Sequence, residues 1–171
     1  MNPPNPKPLI SRRRIQKRTA ELGTEISGYY QGKPLLVTAV CNGALLFAAD
    51  LIRNITLPMQ FDTLAVESYI GELSSGEIRF RSQPKLDPSG KHLLLLDDII
   101  DTGLTISKVI EYYHKFKPLS IRTCALLNKQ SRRQGMVQAD WVGFDIPDKF
   151  VVGYGLDCNE FLRNIPYIGT L

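Results

Sequence analysis

Residues 93–103, LLLLDDIIDTG, set four leucines directly against Asp97, Asp98 and Asp101, and the run continues into Leu104 and Thr105. A carboxylate beside so apolar a stretch is costly to desolvate unless hydroxyls, amides or a cation meet it. Four consecutive leucines suit a strand buried on both faces. In a parallel sheet, ligands bind outside the carboxyl ends of the strands, where the chain turns into a helix. Leu93 to Leu96 are therefore expected to form the strand, with Asp97 and Asp98 at its carboxyl edge. The turn that follows supplies the hydroxyls of Thr102 and Thr105, close backbone approach at Gly103, and the free N–H groups of a helix N-terminus. Together these make a phosphate cradle. Acids alone would repel a phosphate, but they suit the hydroxyls of a sugar or a hard cation that takes oxygen ligands. A sugar phosphate with free diol oxygens, carrying magnesium, satisfies every group at once. Any one of the three acids could merely end a strand or cap a helix; all three before T-G-x-T point to a site.

The elements that must hold this run can be read on either side of it. MNPPNPKP (1–8) lacks the backbone donors for a helix or central strand and reads as a flexible Pro-rich tail, leaving 9–171 as one domain. Ser11 is a fitting N-cap for a helix with Ile15, Leu22, Ile26 and Tyr29 near one face. KPLLVTAV (33–40) reads as a buried strand, broken by Cys41-Asn42-Gly43 before a helical stretch over 44–54. QFDTLAVESY is the next strand. Residues 70–90 concentrate Gly, Ser and Pro around a short EIRF strand, as a functional lid would. HLLLLDD, SIRTCALL, WVGFDIP and FVVGYG supply further strands, with LTISKVIEYYHKF a helix bearing Ile106, Val109, Ile110 and Tyr113 on one side. Strands alternating with helices imply an α/β protein with a mostly parallel sheet.

Composition narrows the classes. A chain of 171 residues, 43% hydrophobic and 22% charged, suits one soluble domain with a sizeable core. Its apolar runs are too short to span a membrane and no signal pattern opens it, so a cytoplasmic location is expected. Cys41, Cys124 and Cys158 are odd in number and unpatterned in spacing, which favours reduced thiols over disulfides or a zinc knuckle. The net charge of +4 owes much to Arg12, Arg13, Arg14, Lys17 and Arg18. A solvated helix face accounts for that cluster. No interleaved aromatics argue for RNA, and nucleic acid is not expected as a partner.

LLLLDDIIDTGLT resembles the 5-phosphoribosyl-1-pyrophosphate signature of the type I phosphoribosyltransferases. More narrowly, the chain is similar to the hypoxanthine-guanine phosphoribosyltransferases over roughly residues 9–168. IQKRTAELGTEI, ADLIRNI, ESYIGELSSGEIRF and DWVGFDIPDKFVVGYGLDCNEFLRNIPYIG carry the likeness. The resemblance implies a mostly parallel twisted sheet flanked by helices, with a small hood from the terminal segments. It implies transfer of phosphoribose from its diphosphate donor to N9 of a 6-oxopurine, with Mg2+ as cofactor, in a homodimer or homotetramer. By position, Asp97 and Asp98 would hold the ribose hydroxyls directly or through magnesium, and Asp101 would be the general base near N7 of the purine. Thr102, Gly103, Leu104 and Thr105 would hold the 5-phosphate. Lys129 would address the 6-oxygen, Phe150 would stack on the purine, and the Val151 backbone would read its edge. Asp157 corresponds to a magnesium ligand, and Asn42, Gly43 and Arg163 to pyrophosphate contacts. Ser68 and Tyr69 open the lid. Taken singly, Lys129 reads as a surface lysine, Phe150 as a core aromatic and Arg163 as a solvated charge; their joint order gives them roles.

Two positions depart from that family. Asp97 stands where it usually has Glu, shortening the reach by one methylene. Cys41-Asn42-Gly43 replaces a Leu-Lys-Gly loop and removes a cation from the diphosphate site. The loop is nevertheless expected to keep a cis peptide between Cys41 and Asn42, at least with ligand bound, because that requirement lies in the backbone. The alternative within the same fold is an RNA-binding regulator of pyrimidine genes, against which Asp101, Lys129 and Phe150 stand. A dinucleotide-binding reading fails for want of G-x-G-x-x-G after any strand.

Overall fold

Strand β2 (Leu35–Cys41) and strand β5 (His92–Ile100) run parallel at the centre of a six-stranded sheet, with Leu36 opposite Leu93 and Ala39 opposite Leu96. The computed structural model describes residues 5–68, 78–132 and 137–171. Strand β3 (Met59–Ser68) pairs with the outer edge of β2. Beyond β5 lie β6 (Ser120–Asn128) and β7 (Trp141–Asp145), all parallel, while β4 (Ile78–Phe80) closes the other edge antiparallel to β3. A second, three-stranded antiparallel sheet combines β1 (Lys7–Ile10), β9 (Ile168–Thr170) and β8 (Val151–Val152). Both chain ends thus build the expected hood.

Alternation along the central strands assigns their faces. Val37, Ala39, Leu94, Leu96 and Leu126 pack with helices α1 (Arg12–Tyr29) and α2 (Leu45–Ile52). Leu36, Val40, Leu93 and Leu95 pack on the other side with α3 (Leu104–His114). Leu93 to Leu96 are all fully buried, each contributing about 1.5–3 kcal/mol of burial. Ser11 caps α1 as expected, its hydroxyl accepting from the Arg14 N–H.

The expectations need four corrections. Lys7 and Pro8 are strand, not tail. Pro8 is tolerated because β1 is an edge strand, where a missing N–H interrupts no ladder, and the register shifts between Pro8 and Ile10. Tyr29 is 39% exposed; Tyr30 is the buried aromatic of that helix end. Strand β5 does not stop at Leu96 but runs to Ile100, paired with β6 as far as Asn128, so Asp97 and Asp98 lie within it. Finally, the second half of the 70–90 stretch is fastened down. Ala65 donates to Ser82 Oγ, and both Lys85 and Leu86 N–H groups donate to the buried Asp62 carboxylate at 2.7 and 2.9 Å. Among the described residues no helix is long and apolar enough to cross a membrane.

Candidate active site

The parallel strands deliver their functional groups at one edge. Asn42 and Gly43 follow β2, Asp101 and the Thr-Gly turn follow β5, and Lys129 follows β6, its N–H bonded to the carbonyl of Ile100 at 3.0 Å. This is the carboxyl edge where a parallel sheet opens a crevice.

Asp97, 6% exposed, accepts the Asp98 N–H at 3.1 Å, and Asp98 accepts the Ile99 N–H at 3.0 Å. Burial pushes the Asp97 carboxyl well above the usual carboxylate range, and the charge of Asp98 adds to the effect. Burial also raises Asp98, against the hydrogen bond from Asp97, the Ile99 N–H and the charge of Arg163. Two adjoining carboxyls, one of them buried, cost more to ionise together than singly, and hydroxyl donors or a cation would favour the charged form.

After β5, Gly103 takes φ 84° and opens α3 with no side-chain cap and no acid in the first turn. The helix dipole therefore faces outward unopposed. Thr102 Oγ1 accepts the Leu104 N–H at 3.3 Å, and Ser107 donates through its hydroxyl to the Gly103 carbonyl. Thr102 and Thr105 are half-buried, and Leu104 is exposed.

After β2, the Cys41–Asn42 peptide is cis. Gly43 lies so near Asp98 that a methyl there would stand 1.9 Å from the carboxylate oxygen. Arg163 donates to the Gly155 carbonyl at 2.7 Å and pairs with Asp157 at 2.8 Å and Glu160 at 3.0 Å. Asp98, Gly43, Gly155, Arg163 and Asp157 thus form one chain of neighbours.

After β6 stands Lys129. It is no surface lysine: 5% exposed, its ammonium stands 3.3 Å from Asp101 Oδ2 and 3.8 Å from Asp148 Oδ1. Phe150 is no core aromatic either, being 56% exposed two residues beyond Asp148. Val151 is buried in β8, opposite Thr170. Ser68 ends β3, and Tyr69 lies outside the described residues.

Sequence reasoning missed Asp148, Glu160 and Tyr154. Asp148 follows β7 as Asp101 follows β5, so the same rule of carboxyl edges could have found it. Glu160 pairs locally with Arg163, three residues on, whereas Tyr154 reaches Asp50 of α2 across 104 residues.

No three His, Cys, Asp or Glu side chains among the described residues close into a cage for an ion. The donors present nonetheless fit magnesium, which is commonly held by one or two carboxylates plus substrate oxygens. Asp97 and Asp98 offer hard carboxylate oxygens, and Asp157 offers another across Arg163.

Fold and site together define an α/β protein whose carboxylates, Thr-Gly turn and buried lysine gather at the carboxyl edge of a parallel sheet. The phosphoribosyl transferase domain matches residues 10–159. The chain is 45% identical over 166 residues to the hypoxanthine-guanine phosphoribosyltransferase of Bacillus subtilis, covering 96% of this chain and 92% of that protein. It is 42% identical to the hypoxanthine phosphoribosyltransferase of Haemophilus influenzae, covering 95% and 93%. The crystal structure of a hypoxanthine phosphoribosyltransferase from Staphylococcus aureus superimposes with a TM-score of 0.93 at 38% identity, covering 96% and 90%. The chain belongs to the phosphoribosyltransferase family and, within it, to the hypoxanthine-guanine phosphoribosyltransferases. These relatives are named as enzymes, and the regulator alternative is not favoured.

Proposed function

We infer that this chain is a purine-salvage enzyme that moves the 5-phosphoribosyl group from phosphoribosyl pyrophosphate to N9 of hypoxanthine or guanine, giving IMP or GMP and pyrophosphate. The observation that carries this reading is the Asp97–Asp98 pair leading into the Asp101–Thr105 turn, with the buried Lys129 ammonium at 3.3 Å from Asp101.

In this reading the Thr102–Thr105 turn and the open end of α3 hold the 5-phosphate, while Asp97 and Asp98 take the ribose hydroxyls. The cis backbone at Asn42, Gly43 and Arg163 face the diphosphate. Magnesium, held by the donor's oxygens with Asp157 and the Asp97–Asp98 pair, would neutralise charge on the leaving group. Phe150 stacks on the purine and the Val151 backbone reads its edge. Lys129 donates to the 6-oxygen, with the Asp148 carboxylate 3.8 Å from its ammonium. As the N9–C1 bond forms, the C1–oxygen bond breaks, its electron pair leaves with pyrophosphate, and Asp101 accepts the purine proton. A lid opening at Ser68 and Tyr69 excludes water from the cationic sugar. We place the enzyme in the cytoplasm as a homodimer or homotetramer.

The test incubates the protein with magnesium, phosphoribosyl pyrophosphate and each free base. IMP and GMP should form and AMP should not, because a lysine ammonium cannot accept a hydrogen bond from a 6-amino group. AMP made at rates rivalling IMP would refute the 6-oxopurine assignment.

A further inference from the structure

We propose that the hydrogen bond between Tyr154 and Asp50 is a latch that positions the diphosphate half of the site, making Tyr154 a positioning residue for the donor. The proposal rests on the reading above for Arg163 and Gly43 and adds what holds them.

Tyr154 is buried, yet its φ is 51°, in the left-handed region that non-glycine residues rarely enter, between Gly153 at 95° and Gly155 at 103°. Such a conformation persists only where its surroundings impose it. Two bonds do so: the Tyr154 N–H donates to the Ile165 carbonyl at 2.8 Å, and the phenol donates to Asp50 Oδ2 at 2.5 Å. The phenol lies where α1 crosses α2, with the Thr19 hydroxyl beside it. Asp50 is steadied in turn, its other oxygen paired with Arg53.

What the latch holds is the next residue. Gly155 presses on the diphosphate loop so closely that a methyl there would stand 2.2 Å from the Gly43 carbonyl. Its N–H donates to the Arg163 carbonyl at 3.0 Å, and its own carbonyl accepts the Arg163 guanidinium at 2.7 Å. Any shift at 154 is therefore passed through Gly155 to both Gly43 and Arg163. Asp50 belongs to α2, which begins directly after that loop. One bond thus ties the hood segment carrying Arg163 and Asp157 to the helix carrying the loop they face.

Tyr154→Phe in the full chain tests this. The KM for phosphoribosyl pyrophosphate and the inhibition constant of pyrophosphate should rise roughly 10-fold, as for a lost hydrogen bond to a charged group. The KM for hypoxanthine should stay within about twofold, since Asp101 and Lys129 follow β5 and β6, and Phe150 and Val151 are fastened by the pairing of β8 with β9 rather than by the latch. Asp50→Asn keeps an accepting oxygen and should recover most of the donor affinity. Asp50→Leu should match Tyr154→Phe, and the double variant should be no worse than either single one. If Tyr154→Phe fails to fold, Asp50→Leu carries the same comparison. An unchanged donor constant, equal losses for donor and purine, or additive losses in the double variant would overturn the latch. Arg163→Gln is measured alongside. If it raises the donor constant and Tyr154→Phe does not, the latch alone falls; if Arg163→Gln changes nothing, the diphosphate reading falls with it.

Discussion

The ammonium of Lys129 lies 3.3 Å from Asp101 Oδ2 in a position only 5% exposed, joining the residue after β6 to the residue after β5. A buried lysine needs a carboxylate close by to remain charged, and a base between strand and helix gains a fixed orientation from the same contact. In the proposed reaction this one ion pair would serve two roles, a proton acceptor toward the ring and a donor toward its exocyclic oxygen.

Asp101→Asn separates proton removal from binding. Asparagine preserves the shape and can still meet Lys129 through its oxygen, with Asp148 at 3.8 Å keeping a carboxylate nearby. Turnover should fall by about 100- to 10,000-fold while the donor constant changes little. Steady-state rates across pH check this; near-normal turnover at every pH would leave Asp101 with a positioning role only.

Lys129→Gln probes the choice of base. A glutamine amide both donates and accepts, so it no longer penalises a 6-amino group, and it leaves Asp101 without its cation. Turnover of hypoxanthine should drop, and the preference for hypoxanthine over adenine should narrow by at least about 10-fold. Competition between the two bases for one donor pool measures the ratio directly.

How much of this the sequence discloses depends on the range of the interaction. The four buried leucines, the Ser11 cap and the Thr-Gly turn are legible because neighbours in the chain decide them. Pro8 misleads because its missing donor is harmless only on an edge strand, and edge position is a property of the finished sheet. Lys129 is solvent-facing by its residue type and buried in fact, because Asp101 and Asp148 arrive from two other strand ends. The Tyr154 latch joins residues 104 apart, with no local pattern to announce it.

His92, at the start of β5, gives a stability that depends on pH. Its Nδ1 lies 2.8 Å from Ser120 Oγ; burial first, and the positive charge of Lys33 second, hold its pKa below the ordinary 6.5. The unfolded chain therefore takes up this proton before the folded one does. The contribution of His92 is complete above about pH 6.5 and is lost as pH falls through the lowered folded value. Melting temperature should drift down between pH 7.5 and pH 5, with His92 contributing to the change. His92→Gln should flatten that share of the slope; an unaltered slope would assign it to other groups.

Asn42 stands in the loop that the resemblance assigns to the diphosphate, and the structure shows what surrounds it. The loop keeps its backbone: the Cys41–Asn42 peptide is cis, the Leu45 N–H bonds to the Asn42 carbonyl at 3.1 Å, and Gly43 sits against Asp98. What it lacks is a cation. Arg163, the nearby guanidinium, is already engaged by Asp157 and Glu160, so the diphosphate must draw on a charge that two carboxylates share. Asn42→Lys adds a positive charge without asking the backbone to change. It should lower the KM for phosphoribosyl pyrophosphate and the inhibition constant of pyrophosphate by about 2- to 10-fold, the range of one partly solvated charge pair. The gain should shrink as salt is raised, because exposed charge interactions are screened over about 10 Å at 0.1 M. Hypoxanthine affinity should not move. Donor titrations of both proteins at low and high salt decide the matter: a donor constant unchanged at low salt would show that residue 42 serves the diphosphate through its backbone alone.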